Sequence, residues 1–386
     1  MPLRFTRQRV VYYCSVLLVS AIAIQAVSVI RDRQIGGDFA VFYAEGKVVN
    51  NNPHSQLYNL ELHDKEYEKL WGTGTSSPFA YSPWFTIPVA LIARLPYVMA
   101  FLLWTLLSLI LLFVAVRLMV RAGTVPTDWT NLAFFVSLTF PPFLIYSLLN
   151  GHPSSFALFV LTLTYLLHMK KERFYSGIVL SLLSYKPTFL IFITPMLLFT
   201  RQWKAFLGLI TGGSFLALIG IAWAGIDGTR SYFWLLKLYA QSINSHIDIF
   251  QGNKYIDLGS ATRSLMGPQP WLRSILLVVA LPLVSLLWYR LGPQPISWTI
   301  AIVCGLLLNM YTPIYDCTLL IFGITLIGVT NVNKWLLIAL YFVSFLTVPM
   351  AALTGVQLYT IVLIWLLAVL VTRVFTVDGI EHQKMA

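Results

Sequence analysis

A chain of 386 residues with 58% hydrophobic and only 11% charged residues is not an ordinary soluble protein, whose domains carry roughly 25% charge. The formal charge of +11 does not indicate a nucleic-acid binder, because the Lys and Arg residues are spread over short joints between apolar runs rather than clustered among accessible aromatics. Cys14, Cys304 and Cys317 lie in or beside apolar runs without paired spacing, which excludes a disulfide framework and a cysteine metal site.

Residues 1–9 are basic and 10–30 apolar. That run exceeds the 7–15 residues of a signal-peptide core and no small-x-small site follows, so it is expected to stay as a membrane anchor. It delivers a first outer, extracytoplasmic loop over 31–96, opening on Gly36-Gly37-Asp38-Phe39. Within the loop, 39–49 and 60–71 predict short amphipathic helices, separated by Asn50-Asn51-Asn52-Pro53 and followed by the breaker Gly72-Thr73-Gly74. Residues 83–95 cover about two-thirds of a crossing and are expected to lie in the membrane interface.

From 97 onward, apolar segments alternate with short polar joints: 97–120, 132–149, 154–169, 174–185, 187–200 and 205–224. A second long outer loop is expected over 225–270, then crossings at 271–289, 296–310, 315–329, 336–352 and 358–373. The fold class that follows is all-α: a polytopic integral membrane protein of about twelve crossings, one membrane domain over 1–386, with both termini cytoplasmic. On this topology 14 Lys/Arg and 4 Asp/Glu lie inside against 12 and 11 outside, so +10 of the +11 falls on the cytoplasmic side.

Ionisable groups at membrane depth are costly unless they are used. Asp38 with Glu45, Asn150-Gly151-His152, Lys186-Pro187 and Tyr315-Asp316 all fall at expected outer helix ends. Asp38 reads both as the N-cap of the 39–49 helix and as the working carboxylate of a membrane enzyme. Lys186 reads as a snorkelling lysine or as a point-charge ligand for a lipid phosphate, joined by Arg263 and Lys254. His152 and His246 stand near outer ends without metal-site spacing. Tyr43, Phe79, Tyr81 and Trp84 are candidates for an aromatic wall against a sugar or prenyl chain.

Several short motifs recur in one order: Asp38-Phe39 with Tyr43 and Leu57-Tyr58, then Phe79-x-Tyr81-x-Pro83, Lys186-Pro187 and Tyr315-Asp316. With them the chain resembles glycosyltransferase family 87, the polyprenol-phosphate-sugar mannosyltransferases of the GT-C fold, over residues 10–330. It departs where the family's Asn-Gly-Gln is Asn150-Gly151-His152, where Asn50-Asn51-Asn52 replaces a Gly, and where no His precedes Tyr315-Asp316. Gly36-Gly37-Asp38-Phe39 also resembles the diguanylate cyclase signature, but the Glu that follows there and the soluble α/β domain are missing.

The resemblance to the glycosyltransferases implies inverting transfer of a sugar, mannose foremost, from a polyprenyl-phosphate donor to a lipid or glycan acceptor at the outer face of the plasma membrane. Asp38 would be the base, and Lys186, Arg263 and Lys254 would hold the donor phosphate. Tyr43, Glu45, Tyr81, Asn150, His152, His246, Tyr315 and Asp316 would surround the substrates. The expected partners are membrane lipids, the donor and the acceptor, with no nucleic acid, no cofactor and no metal. The alternative is a transporter or flippase for a lipid-linked sugar, although such proteins commonly carry two similar halves and no repeat is visible here.

Overall fold

Apolar runs facing lipid fold into helices because a helix satisfies every backbone polar group within its own segment. The computed structural model describes residues 7–32, 34–72, 77–124, 129–244, 252–267, 269–309, 311–328 and 332–385, and they are helical apart from their joints, with one isolated bridge between Tyr255 and Pro313.

The chain forms two compact units. The first, Met1–Pro187 with Trp203–Ser242, holds α1 (Arg7–Asp32), α2 (Gly37–Asn51), α3 (Leu60–Trp71), α4 (Thr86–Ile92), α5 (Tyr97–Met119), α6 (Thr130–Leu138), α7 (Pro141–Phe143, continued as a π turn over Leu144–Leu149), α8 (Ser154–Met169) and α9 (Arg173–Ser181). The second, Thr188–Gln202 with Ile243–Ala386, holds α10 (Leu190–Phe199). α11 (Trp203–Asn244) belongs almost wholly to the first unit. The second unit continues with α12 (Leu258–Met266), α13 (Pro270–Leu291), α14 (Pro295–Leu308), α15 (Leu320–Ile327), α16 (Lys334–Thr354) and α17 (Leu358–Met385).

Among the described residues, five helical stretches are long and apolar enough to cross a membrane: Arg7–Arg31, Tyr97–Ala122, Trp203–Tyr239, Ser274–Leu291 and Lys334–Thr354. A sixth candidate is the pair Thr130–Leu138 and Pro141–Leu149, bent by 57°. Length and composition alone thus mark five or six of the about twelve crossings expected. Ser154–Met169, Pro187–Phe199, Pro295–Leu308 and Ile314–Ile327 are shorter apolar helices, and Leu358–Val374 is the apolar part of α17, which runs on to Met385. At 1.5 Å per residue the first four reach roughly 20–24 Å, short of the ~30 Å hydrocarbon thickness.

The segment 225–270, expected as a second long outer loop, begins as helix. The helix from Trp203 passes a break at Gly225 (φ 70°) and continues to Asn244. Ala224, Gly228, Tyr232, Leu235 and Tyr239 are buried at helical spacing along this stretch. Tyr239 donates to the Pro78 carbonyl (2.6 Å), and Trp223 Nε1 donates to Thr86 Oγ1 (3.0 Å). Trp223 and Tyr239, on either side of the break, thus hold the residues that flank the Phe79–Pro83 motif.

The two loop helices form close to where they are expected. α3 is capped by Asn59, whose side chain accepts from the Glu61 and Leu62 amides, and it stops at Gly72 in the left-handed region. α2 starts at Gly37, with Gly36 (φ 69°) in the cap position. Asp38 consequently sits inside the first turn and is not the N-cap. The three cysteines are buried thiols.

Candidate active site

The first unit gathers its polar groups around the start of α2. A helix start leaves amides without intrahelical partners, and here the Phe39 amide donates to the Asn150 carbonyl at 2.8 Å. The next residue, Gly151, has φ +81°, and a Cβ there would fall 2.5 Å from the Phe39 Cβ. Only glycine allows this approach. The Gly151 carbonyl accepts from Trp104 Nε1 (2.8 Å), and the Trp104 ring packs on Phe39 and Phe42. Asn150-Gly151 therefore locks the base of α2, with Asp38 half-buried at its edge.

His152 is 1% exposed between two hydroxyls, with Nε2 2.8 Å from the Tyr81 phenol and Nδ1 2.7 Å from Ser154 Oγ. Burial, and then the charge of Lys186, hold it well below the ordinary histidine range, so the ring is neutral. One ring nitrogen donates and the other accepts. Tyr81 lies parallel to Tyr185 at 5.9 Å, and its carbonyl accepts from the Tyr58 phenol (2.8 Å). Lys186, next in sequence, is 2% exposed, which removes the snorkelling alternative because a snorkelling lysine keeps its head in water.

Glu45, expected near the substrates, is bonded within the protein. It is 1% exposed; Oε1 accepts from the Tyr58 amide (3.0 Å) and Oε2 pairs with His63 Nδ1 (2.9 Å). Both oxygens are committed to joining α2 to the Leu57-Tyr58 turn and to α3. Tyr43 is likewise structural, 5% exposed with its phenol donating to the Leu95 carbonyl (2.8 Å). Phe79, 2% exposed, forms no open wall.

Sequence reasoning missed the aromatics nearest Asp38. α2 and α3 run antiparallel: Glu45 meets His63, and eight residues away on each helix Gly37 meets Trp71, where a Cβ on Gly37 would lie 3.5 Å from the indole ring. Eight residues span about 12 Å on either helix, so the two contacts are in register. Tyr67 stacks on Trp71 at 6.0 Å and 15°. Its phenol is pushed up by burial first and then by the negative charge of Asp38. The amphipathic pattern of α3 marked this face, but no motif did.

The remaining candidates lie in the second unit. Lys254, Arg263 and Tyr315 are half-buried, and Asp316 is 0% exposed. Asp257, not anticipated, organises them. It is 0% exposed and caps α12, accepting from the Ser260 amide (2.8 Å), Ser260 Oγ (2.8 Å) and the Thr312 amide (3.0 Å). With the Ile256 amide donating to the Thr312 carbonyl (2.8 Å), it ties the approach to α12 to the residues leading into Tyr315-Asp316. His246 lies outside the described residues. No group of three or more His, Cys, Asp or Glu able to hold a metal ion occurs among the described residues.

Searches of the curated proteins and of the solved structures return no match. The model of glycosyltransferase family 87 matches residues 79–313, more than half of the chain. That span runs from the Phe79-x-Tyr81-x-Pro83 motif through His152 and Lys186 to the Thr312 segment that Asp257 holds. The chain belongs to glycosyltransferase family 87.

Proposed function

We propose that this family member is an inverting glycosyltransferase that moves a sugar, mannose foremost, from a polyprenyl-phosphate donor to a lipid or glycan acceptor. The reading places it in the plasma membrane with both termini cytoplasmic and the reaction at the outer face. The observation that carries it is the contrast between the two carboxylates of α2. Glu45 is buried with both oxygens engaged, whereas Asp38 is half-exposed at the helix start. The helix N-terminus favours the negative charge there by about 0.3–1 kcal/mol.

In the reaction proposed, the acceptor hydroxyl loses its proton to Asp38 as its oxygen attacks the anomeric carbon. The bond from that carbon to the phosphate oxygen breaks on the opposite face, and polyprenyl phosphate leaves with the electron pair. General-base help of this kind contributes roughly 10²- to 10⁴-fold. In the first unit Lys186 supplies the positive charge for the departing phosphate, while His152, neutral and bonded on both ring nitrogens, holds Tyr81 in place. A phosphate leaving group needs less charge neutralisation than a nucleotide diphosphate, so the chemistry calls for no metal. The lipid tail of such a donor accounts for an enzyme built of membrane helices, and family membership favours the enzyme over the transporter.

The test is to incubate the purified full chain with radiolabelled polyprenyl-phosphate mannose and a membrane-lipid acceptor pool. Label in a new lipid or glycan product is the expected result. Donor that stays intact, or is only hydrolysed by water, refutes the reading.

A further inference from the structure

After Lys204 the chain carries no charged residue until Asp227. The uncharged residues 205–226 are helical up to the break at Gly225, and at 1.5 Å per residue they reach about 33 Å, enough for the hydrocarbon thickness of a bilayer. Run straight, the whole stretch Trp203–Tyr239 would reach about 55 Å, more than the ~40–45 Å of a bilayer with its headgroups. The length therefore calls for a change of direction near the membrane surface, and Gly225 supplies it. Its φ of 70° and ψ of 179° form a conformation that is essentially reserved for glycine. A Cβ there would meet nothing within 4 Å among the described residues, so the glycine serves the bend and not close packing.

The helix beyond the bend has two faces. Gly228, Tyr232, Leu235 and Tyr239 are buried along one side. The Tyr232 ring lies 5.4 Å from that of Tyr58 and its phenol 3.4 Å from Ser82 Oγ, while Tyr239 donates to the Pro78 carbonyl. At 3.6 residues per turn, Ile226, Arg230, Phe233, Trp234 and Lys237 fall within about 100° on the opposite side. All five are exposed, Ile226 at 66%, Phe233 at 63% and Trp234 at 54%. Exposed Asp227 borders this side, with Oδ1 3.5 Å from Arg230 Nη1.

Large apolar rings interleaved with cations fit one environment, the boundary between acyl chains and headgroups. Water would leave three large apolar side chains unsheltered, and hydrocarbon excludes the two cations. At the boundary the indole and phenyl rings lie among the upper acyl chains, and the long basic side chains reach the lipid phosphates.

We propose that residues 226–239 form a helix lying in the plane of the membrane surface, with Ile226, Phe233 and Trp234 in the acyl boundary and Arg230 and Lys237 among lipid phosphates. The occupant of this face is the phospholipid bilayer and not another protein. Through Tyr232 and Tyr239 the helix holds the Phe79-x-Tyr81-x-Pro83 motif at headgroup depth. The inference stands apart from the reaction proposed above and is tested without it.

The experiment is fluorescence quenching on the full chain in lipid nanodiscs of phosphatidylcholine and phosphatidylglycerol, whose two faces are both open to solution. Phe233→Cys and Trp234→Cys, prepared separately, carry a bimane label, and the three native cysteines are buried. A label on Ser55→Cys, an exposed position, is the reference for water. Iodide is expected to quench the labels at 233 and 234 several-fold less than the label at 55, and phosphatidylcholine brominated high on the acyl chain to quench them more than lipid brominated near the chain end. Two exposed positions keep the test standing if one variant is not recovered. Iodide quenching as strong as at 55 overturns the proposal, because the face then lies in water. Stronger quenching by the chain-end bromines overturns it in favour of a further span, and quenching by neither agent shows that protein covers the face and overturns it as well.

Discussion

Replacing Glu45 with alanine removes both acceptors from the buried junction of α2 and α3. The Tyr58 amide and His63 Nδ1 lose their partners, in residues that are 3% and 1% exposed, where water does not take over. A buried polar group left unsatisfied costs about 1–3 kcal/mol, so the pair together amounts to about 2–6 kcal/mol. The loss should concentrate on α3, because the other polar contacts made by that helix include the surface pairs Lys65–Glu61 and Lys69–Glu66, worth about 0–1 kcal/mol each. Amide hydrogen exchange followed by mass spectrometry on peptides covering residues 60–71 reads this local opening. The expected result is exchange faster by about thirtyfold or more, since 1.4 kcal/mol corresponds to a factor of ten. Lys65→Ala, which touches only the surface pair, should leave the same peptides almost unchanged. If Glu45→Ala changes exchange in α3 by less than about threefold, the pair is not what holds the helix, and 1.4 kcal/mol per tenfold makes that a clear distinction.

Asp257→Ala should lower the midpoint in scanning fluorimetry by several degrees, because it removes a cap and leaves the Thr312 amide buried, about 2–4 kcal/mol together; a midpoint equal to the parent's contradicts the organising role. His152 sets a pH dependence whose sign can be worked out. Its folded form resists protonation, so the unfolded chain binds more protons below about pH 6.5, and stability should fall as the pH drops from about 7 to 5. His152→Gln should flatten that slope, and an equally steep slope in the variant places its origin elsewhere. Ser55 is exposed in the segment between α2 and α3. A cysteine introduced there should react with a membrane-impermeant maleimide on intact cells, and labelling only after permeabilisation would invert the topology proposed.

The part of the site legible in the sequence was the convergence of separated motifs. Asp38-Phe39 and Asn150-Gly151-His152 could be read as sharing one depth, and the structure joins them through the Phe39 amide and the Asn150 carbonyl. Which carboxylate stays open could not be read. Asp38 and Glu45 are seven residues apart, two turns along one helix, and only the covering α3 separates a half-exposed group from one at 1%. His63 carried no local signal either, because its partner is 18 residues away.

Inside the outer loop expected over 225–270, residues 225–244 are helical past the break at Gly225, and the spacing of Ala224, Gly228, Tyr232, Leu235 and Tyr239 shows as helical once their burial is known. The count of crossings goes beyond what composition fixes, for a related reason. Apolar composition identifies a segment that avoids water without fixing whether its helix is long enough to span, and several of these segments form helices of 10–17 residues.

The central claim is that Asp38 takes the acceptor proton, and Asp38→Asn measures it most directly. Asparagine keeps the size, and the charge it removes from the helix start is worth about 0.3–1 kcal/mol, so the variant should fold and insert. It cannot accept a proton at neutral pH. With donor binding unchanged, the account predicts turnover of radiolabelled polyprenyl-phosphate mannose lower by about a hundredfold or more. A folded Asp38→Asn protein that retains more than about a tenth of the parent rate contradicts it, since general-base catalysis contributes at least roughly a hundredfold.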